Sequence, residues 1–276
     1  MRHAPVTPNG DLIRWVELPG AEPARLYLHG LGASSPVYFA AAAAHPLLAG
    51  RRSLLLDLLG FGISDRPTDF GYTLEEHADA VAAAVRAAGL SRVEVVGHSM
   101  GGAVAIVLAH RHPALVSRLL LVDANLDRID PARQRPGSSG IASYTEAEFL
   151  AGGRDEVAER VGPFWWSTMR LADPRALHRS ARHLARATEP TMREMLLGLD
   201  LPRTFLYPAA DGDPTDGGPA DGDPTDGGPA DGGPADADGL RAAGVRVVAV
   251  PDCGHNIMLD NPDGFAAAAA DALGLG

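Results

Sequence analysis

Residues 93–110 read VEVVGHSMGGAVAIVLAH and combine a strand, a glycine-rich turn and a helix in one short stretch. The apolar run Val93–Val96 predicts the strand, and the Ala-, Val- and Leu-rich segment through His110 predicts the helix. Between them, GHSMG at 97–101 fits Gly-x-Ser-x-Gly, whose two glycines lack a Cβ and permit a sharp bend. Such a bend holds Ser99 in a strained, exposed position beside the N–H groups of a helix N-terminus. We therefore predict that Ser99 is a nucleophile.

A serine nucleophile needs a base, and His255 has a suitable position in the chain. It lies in PDCGHN at 251–256, directly after the predicted strand Val245–Val250. Because open parallel sheets gather their chemistry at the carboxyl ends of the strands, we expect this loop to face Ser99. The alternative is an ordinary histidine in a surface loop. His98, which flanks the nucleophile, is expected to shape the wall of the substrate pocket.

A third motif, HGLG at 29–32, follows an early predicted strand. Glycines at this point let backbone N–H groups approach a tetrahedral intermediate, where removing one donor typically costs about 100- to 1000-fold in rate. We predict an oxyanion hole formed by the N–H groups of Leu31 and Met100. His29 and Gly30 are predicted to line the substrate pocket beside it.

Two aspartates are candidates for the acid that orients the histidine. Asp211 follows the predicted strand Thr204–Tyr207, but it opens a Pro- and Gly-rich repeat, and a mobile loop holds a carboxylate poorly. Asp123 ends the predicted strand Arg118–Val122, where the sheet fixes its backbone. We favour Asp123 and retain Asp211 as the alternative acid. A third interpretation, in which Asp123 only caps a turn, stays open.

Short apolar runs alternate with longer helical patterns along most of the chain, which indicates an α/β fold with a mostly parallel central sheet flanked by helices. The predicted strands are 12–18, 25–28, 53–58, 93–96, 118–122, 204–207 and 245–250, and the other predicted helices are 36–48, 73–88 and 261–273. Thr73 and Glu76 have the spacing of a capping box at the start of the 73–88 helix.

The alternation stops between 125 and 199, where the pattern is polar, arginine-rich and helical. We interpret this segment as a helical cap inserted into a core made of residues 1–124 and 200–276. Trp165 and Trp166 either line an acyl pocket in this cap or anchor the cap on the core. Aromatic side chains above a serine would suit an apolar substrate.

Composition excludes several classes of protein. The chain has 276 residues and a net charge of −11, of which nine negative charges come from aspartates between 209 and 239, so the remainder carries only −2. All 24 basic residues are arginines, and no basic cluster alternates with aromatics, which argues against nucleic-acid binding. No apolar run reaches the roughly 18 residues of a membrane span.

The single Cys253 excludes a multi-cysteine metal site and is expected to be a packing residue, not a nucleophile. We expect a cytoplasmic protein without metal or other cofactor.

An internal repeat lies between the last two predicted strands. DGDPTDGGPA at 211–220 recurs identically at 221–230, with a partial third copy behind it. Pro, Gly and Asp bury too little apolar surface to offset chain entropy, so we expect the loop at 209–239 to be disordered. Calcium binding is the alternative; the aspartate spacing favours it, but the prolines and the missing glutamate at position twelve do not.

In their order along the chain, these motifs resemble the α/β-hydrolase superfamily over nearly the whole length. The matching segments are HG at 29–30, DLLGFGIS at 57–64 with Pro67, GHSMG at 97–101 and GH at 254–255. VDANL at 122–126 is similar to the minority of these hydrolases whose acid follows an earlier strand. The resemblance implies a serine hydrolase without metal or cofactor, with a helical cap over its site. Members that open epoxides or displace halide carry an aspartate where Ser99 stands, so those activities are not expected.

The motifs together predict cleavage of a small to medium carboxylic ester or thioester through an acyl-enzyme. In this hypothesis Ser99 attacks the carbonyl carbon and His255 transfers the proton. Two alternatives stay open: hydrolysis of a carbon–carbon bond in a diketone-like substrate, as in similar capped proteins, and a non-catalytic, ligand-binding homologue. An ester-like small molecule is the expected partner, with no nucleic acid and no membrane.

Deletion of residues 211–230, two whole repeats, should barely change the melting temperature. A disordered surface loop makes few contacts, and its closure entropy varies slowly with length. Thermal unfolding of the full-length and shortened proteins, each with and without calcium, measures the effect. A large drop in melting temperature would show that the repeat is folded or binds an ion, and a dependence on calcium would separate these two cases.

Overall fold

The centre of the fold is an eight-stranded sheet, described in a computed structural model that covers residues 1–128, 138–209 and 234–275. The strands are β1 (Arg2–Pro5), β2 (Leu12–Leu18), β3 (Ala21–Leu28), β4 (Arg51–Asp57), β5 (Val93–His98), β6 (Val116–Val122), β7 (Arg203–Pro208) and β8 (Arg246–Val250). Their order in the sheet is β1-β2-β4-β3-β5-β6-β7-β8. β2 runs antiparallel to β1 and β4, and the other neighbouring pairs are parallel. The structure thus has the mostly parallel sheet that the sequence predicts.

Helices connect the strands and cover the sheet. They are α1 (Ser35–Ala44), α2 (Leu74–Ala87), α3 (Met100–Arg111), α4 (Ser138–Ala142), α5 (Glu146–Glu148), α6 (Arg154–Arg160), α7 (Gly162–Met169), α8 (Pro174–Arg186), α9 (Met192–Gly198), α10 (Ala237–Ala242), α11 (Ile257–Asp260) and α12 (Pro262–Ala272). A 3-10 turn lies at Pro113–Leu115 and a π-helical turn at Phe149–Gly153. The helices α4 to α9 lie between β6 and β7. Within the described ranges, no helix is both long and apolar enough to cross a membrane.

The inner strands bury side chains on both faces of the sheet. In β3, Leu26 and Leu28 enter the core layer that also contains the apolar faces of α2 and α3. Between them Tyr27 points into the opposite layer, where its ring lies 5.3 Å from that of Phe39 in α1. The same alternation holds along β4, β5 and β6. Both layers exclude water, which accounts for the continuous apolar runs that indicate these strands in the sequence.

Local sequence signals determine where α2 begins and where α1 ends. The Thr73 side chain accepts a hydrogen bond from the Glu76 N–H at 3.1 Å, and the Glu76 carboxylate accepts one from the Thr73 N–H at 3.1 Å. These reciprocal bonds form the predicted capping box of α2.

The predicted helix over 36–48 is too long, because α1 ends at Ala44. His45 precedes Pro46 and is extended, with ψ at 138°, since a residue before proline avoids the helical conformation.

Three short elements carry no sequence signal of their own. β1 buries only Ala4 among its four residues, so it lacks the alternation of an ordinary strand. α10 and α11 have six and four residues, too few to show a helical period. Most of the Asp/Gly/Pro repeat, including the alternative acid Asp211, lies outside the described residues.

The start of α3 lies unusually close to the end of β3. A Cβ placed on Gly101 would be 2.4 Å from the carbonyl oxygen of Leu28 and 2.5 Å from that of His29. Real Cβ atoms do not approach backbone oxygens so closely, so only glycine permits this contact. A Cβ on Gly97 would likewise lie 2.5 Å from the carbonyl oxygen of Gly101. The glycines of GHSMG therefore set how tightly strand and helix meet.

Replacing Gly101 by alanine should lower the free energy of unfolding by about 2 kcal/mol or more, because the added methyl overlaps backbone that cannot move aside alone. Gly198→Ala is the matched control: Gly198 ends α9 and a Cβ there meets nothing within 4 Å. That change should leave stability unchanged or raise it by up to about 1 kcal/mol. Guanidinium denaturation of both variants measures the difference, and equal stabilities would contradict the account of this contact.

Candidate active site

Ser99 occupies the sharp turn between β5 and α3. Its backbone has φ 52° and ψ −121°, a conformation that costs a non-glycine residue about 1–3 kcal/mol. The surrounding backbone holds it there: the Ser99 N–H donates to the carbonyl of Val122 at 3.0 Å, and the Ser99 carbonyl accepts from the Gly102 N–H at 2.9 Å. The side chain thereby stands at the carboxyl edge of the sheet.

His255 and Asp123 form a hydrogen-bonded pair at the same edge. The Nδ1 atom of His255 lies 2.7 Å from Oδ2 of Asp123, which is 3% exposed. Because a carboxylate only accepts, Nδ1 carries the hydrogen, and the basic lone pair belongs to Nε2. Asp123 directly follows β6, and its N–H donates to the carbonyl of Leu206 at 2.8 Å. The acid is therefore fixed by the sheet on both sides.

His98 supports the loop that carries His255. Burial and the neighbouring imidazole of His255 lower the pKa of His98 well below its usual value, so the ring is neutral. Its Nε2–H donates to the backbone carbonyl of His255 at 3.0 Å. The His98 ring also lies 4.6 Å from that of His255 and 6.0 Å from that of Tyr38. The buried ring is thus packed between the base and an aromatic side chain of α1.

The HGLG segment lies directly against the nucleophile. A Cβ on Gly30 would be 3.1 Å from the Cβ of Ser99, so a side chain at this position would crowd the serine. Leu31 and Met100 are both buried, and within the described part of the chain neither N–H donates a hydrogen bond. A buried N–H without an acceptor is rare in folded proteins. Two such donors beside a serine can stabilise a developing oxyanion.

His29 is fully buried, and both of its ring nitrogens bond to the backbone. Its Nε2 accepts a hydrogen bond from the Leu58 N–H at 3.1 Å, so Nδ1 carries the hydrogen and donates to the Gly30 carbonyl at 2.7 Å. Burial lowers the pKa of His29, which favours this neutral form. The ring therefore connects the HGLG turn to the backbone just after β4.

Trp165 of α7 connects the α4–α9 region to the same turn. Its indole N–H donates to the carbonyl of Leu31 at 3.0 Å, on the residue whose N–H is a predicted oxyanion donor. The neighbouring Phe164 ring lies 6.2 Å from that of Tyr38. Trp166 instead lies under the guanidinium of Arg154, 5.2 Å from its ring centroid. Trp165 thus contacts the site loop directly, whereas Trp166 packs within its own helical segment.

Asn125 is a site residue that the sequence reasoning missed. The Ser99 hydroxyl donates to its Oδ1 at 3.3 Å. Asn125 lies two residues after Asp123, beyond the end of β6, and nothing in its local pattern indicates a contact with the serine turn. The closeness of β5 and β6 in the sheet could have suggested it, because residues just beyond neighbouring parallel strands meet at one edge.

Cys253 lies two residues before His255 but lacks the character of a nucleophile. Burial, together with the carboxylates of Asp260, Asp123 and Asp252, raises its pKa to about 12. Its thiol donates to the carbonyl of Val250 at 3.2 Å. At neutral pH the group is protonated, and the thiolate is the reactive form.

Solved structures with the same overall shape are hydrolases by name. An esterase from Exiguobacterium antarcticum superposes with a TM-score of 0.72 and 17% identity, over 99% of this chain and 98% of that one. An enol-lactonase from Burkholderia xenovorans superposes with a TM-score of 0.70 and 21% identity, over 99% and 100% of the two chains. At these identities the likeness establishes the fold.

Curated relatives match over shorter stretches. A 2-hydroxymuconate semialdehyde hydrolase of Pseudomonas putida is 37% identical over 97 residues, which cover 35% of this chain and 34% of the relative. An uncharacterised protein of Mycobacterium bovis is 38% identical over 112 residues, covering 40% and 32%. The chain thus spans about a third of the length of these relatives.

A match to a family profile decides which protein family the chain belongs to. The profile of the alpha/beta hydrolase fold matches residues 26–224, which is more than half of the chain. Those residues include the HGLG turn, the serine turn and Asp123. The chain belongs to the alpha/beta hydrolase fold family.

Proposed function

We propose that this protein is a serine hydrolase that cleaves small to medium carboxylic esters or thioesters. The observation that carries the proposal is the 2.7 Å contact between His255 Nδ1 and Asp123, at the sheet edge where the strained turn presents Ser99. An oriented imidazole beside an activated serine is the arrangement that acyl transfer requires. The two buried N–H groups of Leu31 and Met100 add the electrostatic part of such a site.

The proposed reaction proceeds in two halves. The Ser99 Oγ attacks the carbonyl carbon while His255 Nε2 takes the hydroxyl proton, and Asp123 stabilises the resulting imidazolium without taking a proton itself. The oxyanion of the tetrahedral intermediate accepts hydrogen bonds from the Leu31 and Met100 N–H groups. Collapse breaks the bond to the leaving group, which receives the proton from His255. Water then repeats these steps on the acyl-enzyme, releasing the acid and restoring Ser99.

The surroundings of Ser99 support an apolar acyl group. Tyr38, Phe164 and Trp165 bring aromatic rings to the region between α1, α7 and the HGLG turn. Burial raises the pKa of Tyr38 to about 12, so this ring is neutral. We propose that the α4–α9 region, within the predicted cap at 125–199, closes over the site and that these rings contact the substrate. We also propose a reducing, cytoplasmic location, which fits a chain whose one cysteine, Cys253, is a half-buried free thiol.

His29, Gly30 and His98 have positioning roles in this proposal. His29 holds the turn of the oxyanion loop, Gly30 leaves room for Ser99, and His98 holds the backbone of His255. Trp166 packs against Arg154, and its contact with the substrate stays a prediction. The Oδ1 of Asn125 accepts a hydrogen bond from the Ser99 hydroxyl, and we propose that substrate binding breaks this bond and frees the hydroxyl.

A second candidate is hydrolysis of a carbon–carbon bond in a diketone-like substrate. It is favoured by the stretch that is 37% identical to the Pseudomonas putida 2-hydroxymuconate semialdehyde hydrolase. Both reactions use a serine, a histidine and an oxyanion hole, so the site geometry alone does not separate them. A panel of p-nitrophenyl and thioesters of increasing acyl length, run beside a vinylogous diketone acid, compares the two activities directly.

A fluorophosphonate probe tests the proposal against a purely ligand-binding protein. The reagent phosphonylates an activated serine, and peptide mapping should place the adduct on Ser99. Asn125→Ala, which retains the nucleophile and base, should still be labelled, and Ser99→Ala should not. Absence of labelling in the wild-type protein would contradict the hydrolase proposal.

Ser99→Ala should lower kcat for the best ester by a factor on the order of a million, because nucleophile and base act as one unit. For the same reason, the double variant with His255→Ala should lose little more than either single variant. Steady-state kinetics measures all three. Cys253→Ala is the control and should retain wild-type activity, since its thiol is protonated and bonded to a carbonyl. Multiplying losses in the double variant would contradict a shared mechanism.

Asp123→Asn should reduce kcat by roughly 10⁴, because an amide at this position favours the wrong imidazole tautomer. Asp211→Asn removes the same charge at the alternative acid and should remain near wild type. Kinetic measurement of both variants with one ester decides between the two aspartates. A loss confined to the Asp211 variant would transfer the role of the acid to the repeat loop.

A further inference from the structure

The backbone that carries the predicted oxyanion donor, the N–H of Leu31, forms a defined turn. The Ala33 N–H donates to the carbonyl of Gly30 at 3.1 Å, which closes a four-residue turn over 30–33. At its two central positions, the φ of Leu31 is negative, whereas Gly32 has φ 71°. This combination of signs, together with the closing hydrogen bond, identifies a type II turn. The two peptide units on either side of Leu31 are therefore held in specific orientations.

The first of these peptide units, between Gly30 and Leu31, is held by the core. It is planar and trans, so the Leu31 N–H points away from the Gly30 carbonyl. That carbonyl accepts two hydrogen bonds, one from the Ala33 N–H and one from His29 Nδ1 at 2.7 Å. Because both bonds hold the carbonyl end of the unit, the N–H is presented on the opposite side.

The second peptide unit, between Leu31 and Gly32, is held by α7. The Leu31 carbonyl accepts the indole N–H of Trp165 at 3.0 Å, and no other donor in the described part of the chain reaches it. Met169, one helical turn after Trp165, packs against the same unit: a Cβ on Gly32 would lie 3.2 Å from the Cβ of Met169. Leu31 is 4% exposed, so loss of the indole donor would leave a buried carbonyl without a partner.

The second peptide unit has an alternative orientation that the sequence permits. A type II turn becomes a type I turn when its central peptide unit rotates, provided that the third residue can change from positive to negative φ. Glycine adopts both signs of φ readily, and Gly32 occupies that third position. The rotation would turn the Leu31 carbonyl away from Trp165. The indole hydrogen bond therefore favours the type II form of the turn.

We propose that Trp165 is a positioning residue for the oxyanion hole, an inference that rests on the proposed serine hydrolase function. Its indole N–H keeps the 30–33 turn in the type II form and thereby keeps the Leu31 N–H aimed at the oxyanion. A displacement of about 1 Å in a catalytic group can cost on the order of 100-fold in rate. This role is distinct from contact between the Trp165 ring and the substrate, because it depends on a single hydrogen atom of the indole.

Replacement of Trp165 by 3-benzothienylalanine in the full-length protein tests this role, since sulfur replaces the indole N–H in a ring of nearly the same size and shape. We expect kcat for p-nitrophenyl butyrate to fall about tenfold or more, with KM changed by less than about twofold. A trifluoromethyl ketone adds to Ser99 and places an oxyanion in the hole. Its inhibition constant should rise by the same factor by which kcat/KM falls.

The same replacement at Trp15 is the matched control. The indole N–H of Trp15 also donates one hydrogen bond, to the Glu17 carboxylate at 3.1 Å, but it belongs to β2, which carries no residue of the candidate site. Sulfur at this position should leave kcat, KM and the inhibition constant at their wild-type values. Any general effect of the unnatural residue on the protein would appear in this control as well.

Hydrogen exchange provides a readout that does not depend on activity. The Ala33 amide closes the turn, so it should exchange faster in the position-165 analogue than in the wild-type and Trp15-substituted proteins. Wild-type kinetics and exchange in that analogue would overturn the positioning role. A raised KM with unchanged kcat and inhibitor affinity would also overturn it and would assign Trp165 to substrate contact alone. A wild-type protein that neither hydrolyses esters nor reacts with the fluorophosphonate would contradict the serine hydrolase proposal itself and, with it, this role.

Discussion

The contact between the start of α3 and the end of β3 is the constraint on which the site depends. Gly101 brings the helix so close to the carbonyl oxygens of Leu28 and His29 that no side chain fits between them. This approach places the Met100 N–H at the same edge as the HGLG turn and forces Ser99 into its left-handed conformation. The strain at the serine is thus balanced by the packing of two buried elements.

The parallel sheet extends this arrangement to the acid and the base. β6 lies beside β5, so Asp123 emerges next to Ser99, and its own N–H is held by Leu206 of β7. The loop after β8 returns His255 to that edge, where His98 binds its carbonyl. Each participant follows the carboxyl end of a strand, which is why residues far apart in the chain meet with defined geometry.

The sequence predicts a structural feature correctly where a short stretch of residues is itself the physical cause of that feature. The buried runs of β3 to β7, the capping box at Thr73 and the turn at 97–101 are local signals, and the order of the strands then brings Ser99, Asp123 and His255 to one edge. The contacts that the sequence does not predict are single hydrogen bonds between separate segments of the chain. The bond from Trp165 to Leu31 spans 134 residues, and the contact of Ser99 with Asn125 depends on side-chain rotation. No periodicity encodes either of these.

The central claim is that Ser99, oriented by the sheet and served by His255, forms a covalent acyl-enzyme. The most direct measurement is rapid-quench mass spectrometry of the protein mixed with p-nitrophenyl acetate, followed by peptide mapping of the added acetyl group. We expect an acetyl group on the peptide that contains Ser99, appearing with the burst of p-nitrophenol and then decaying by hydrolysis. An acetyl group found instead on Cys253, or turnover without any covalent adduct on the serine turn, would contradict it.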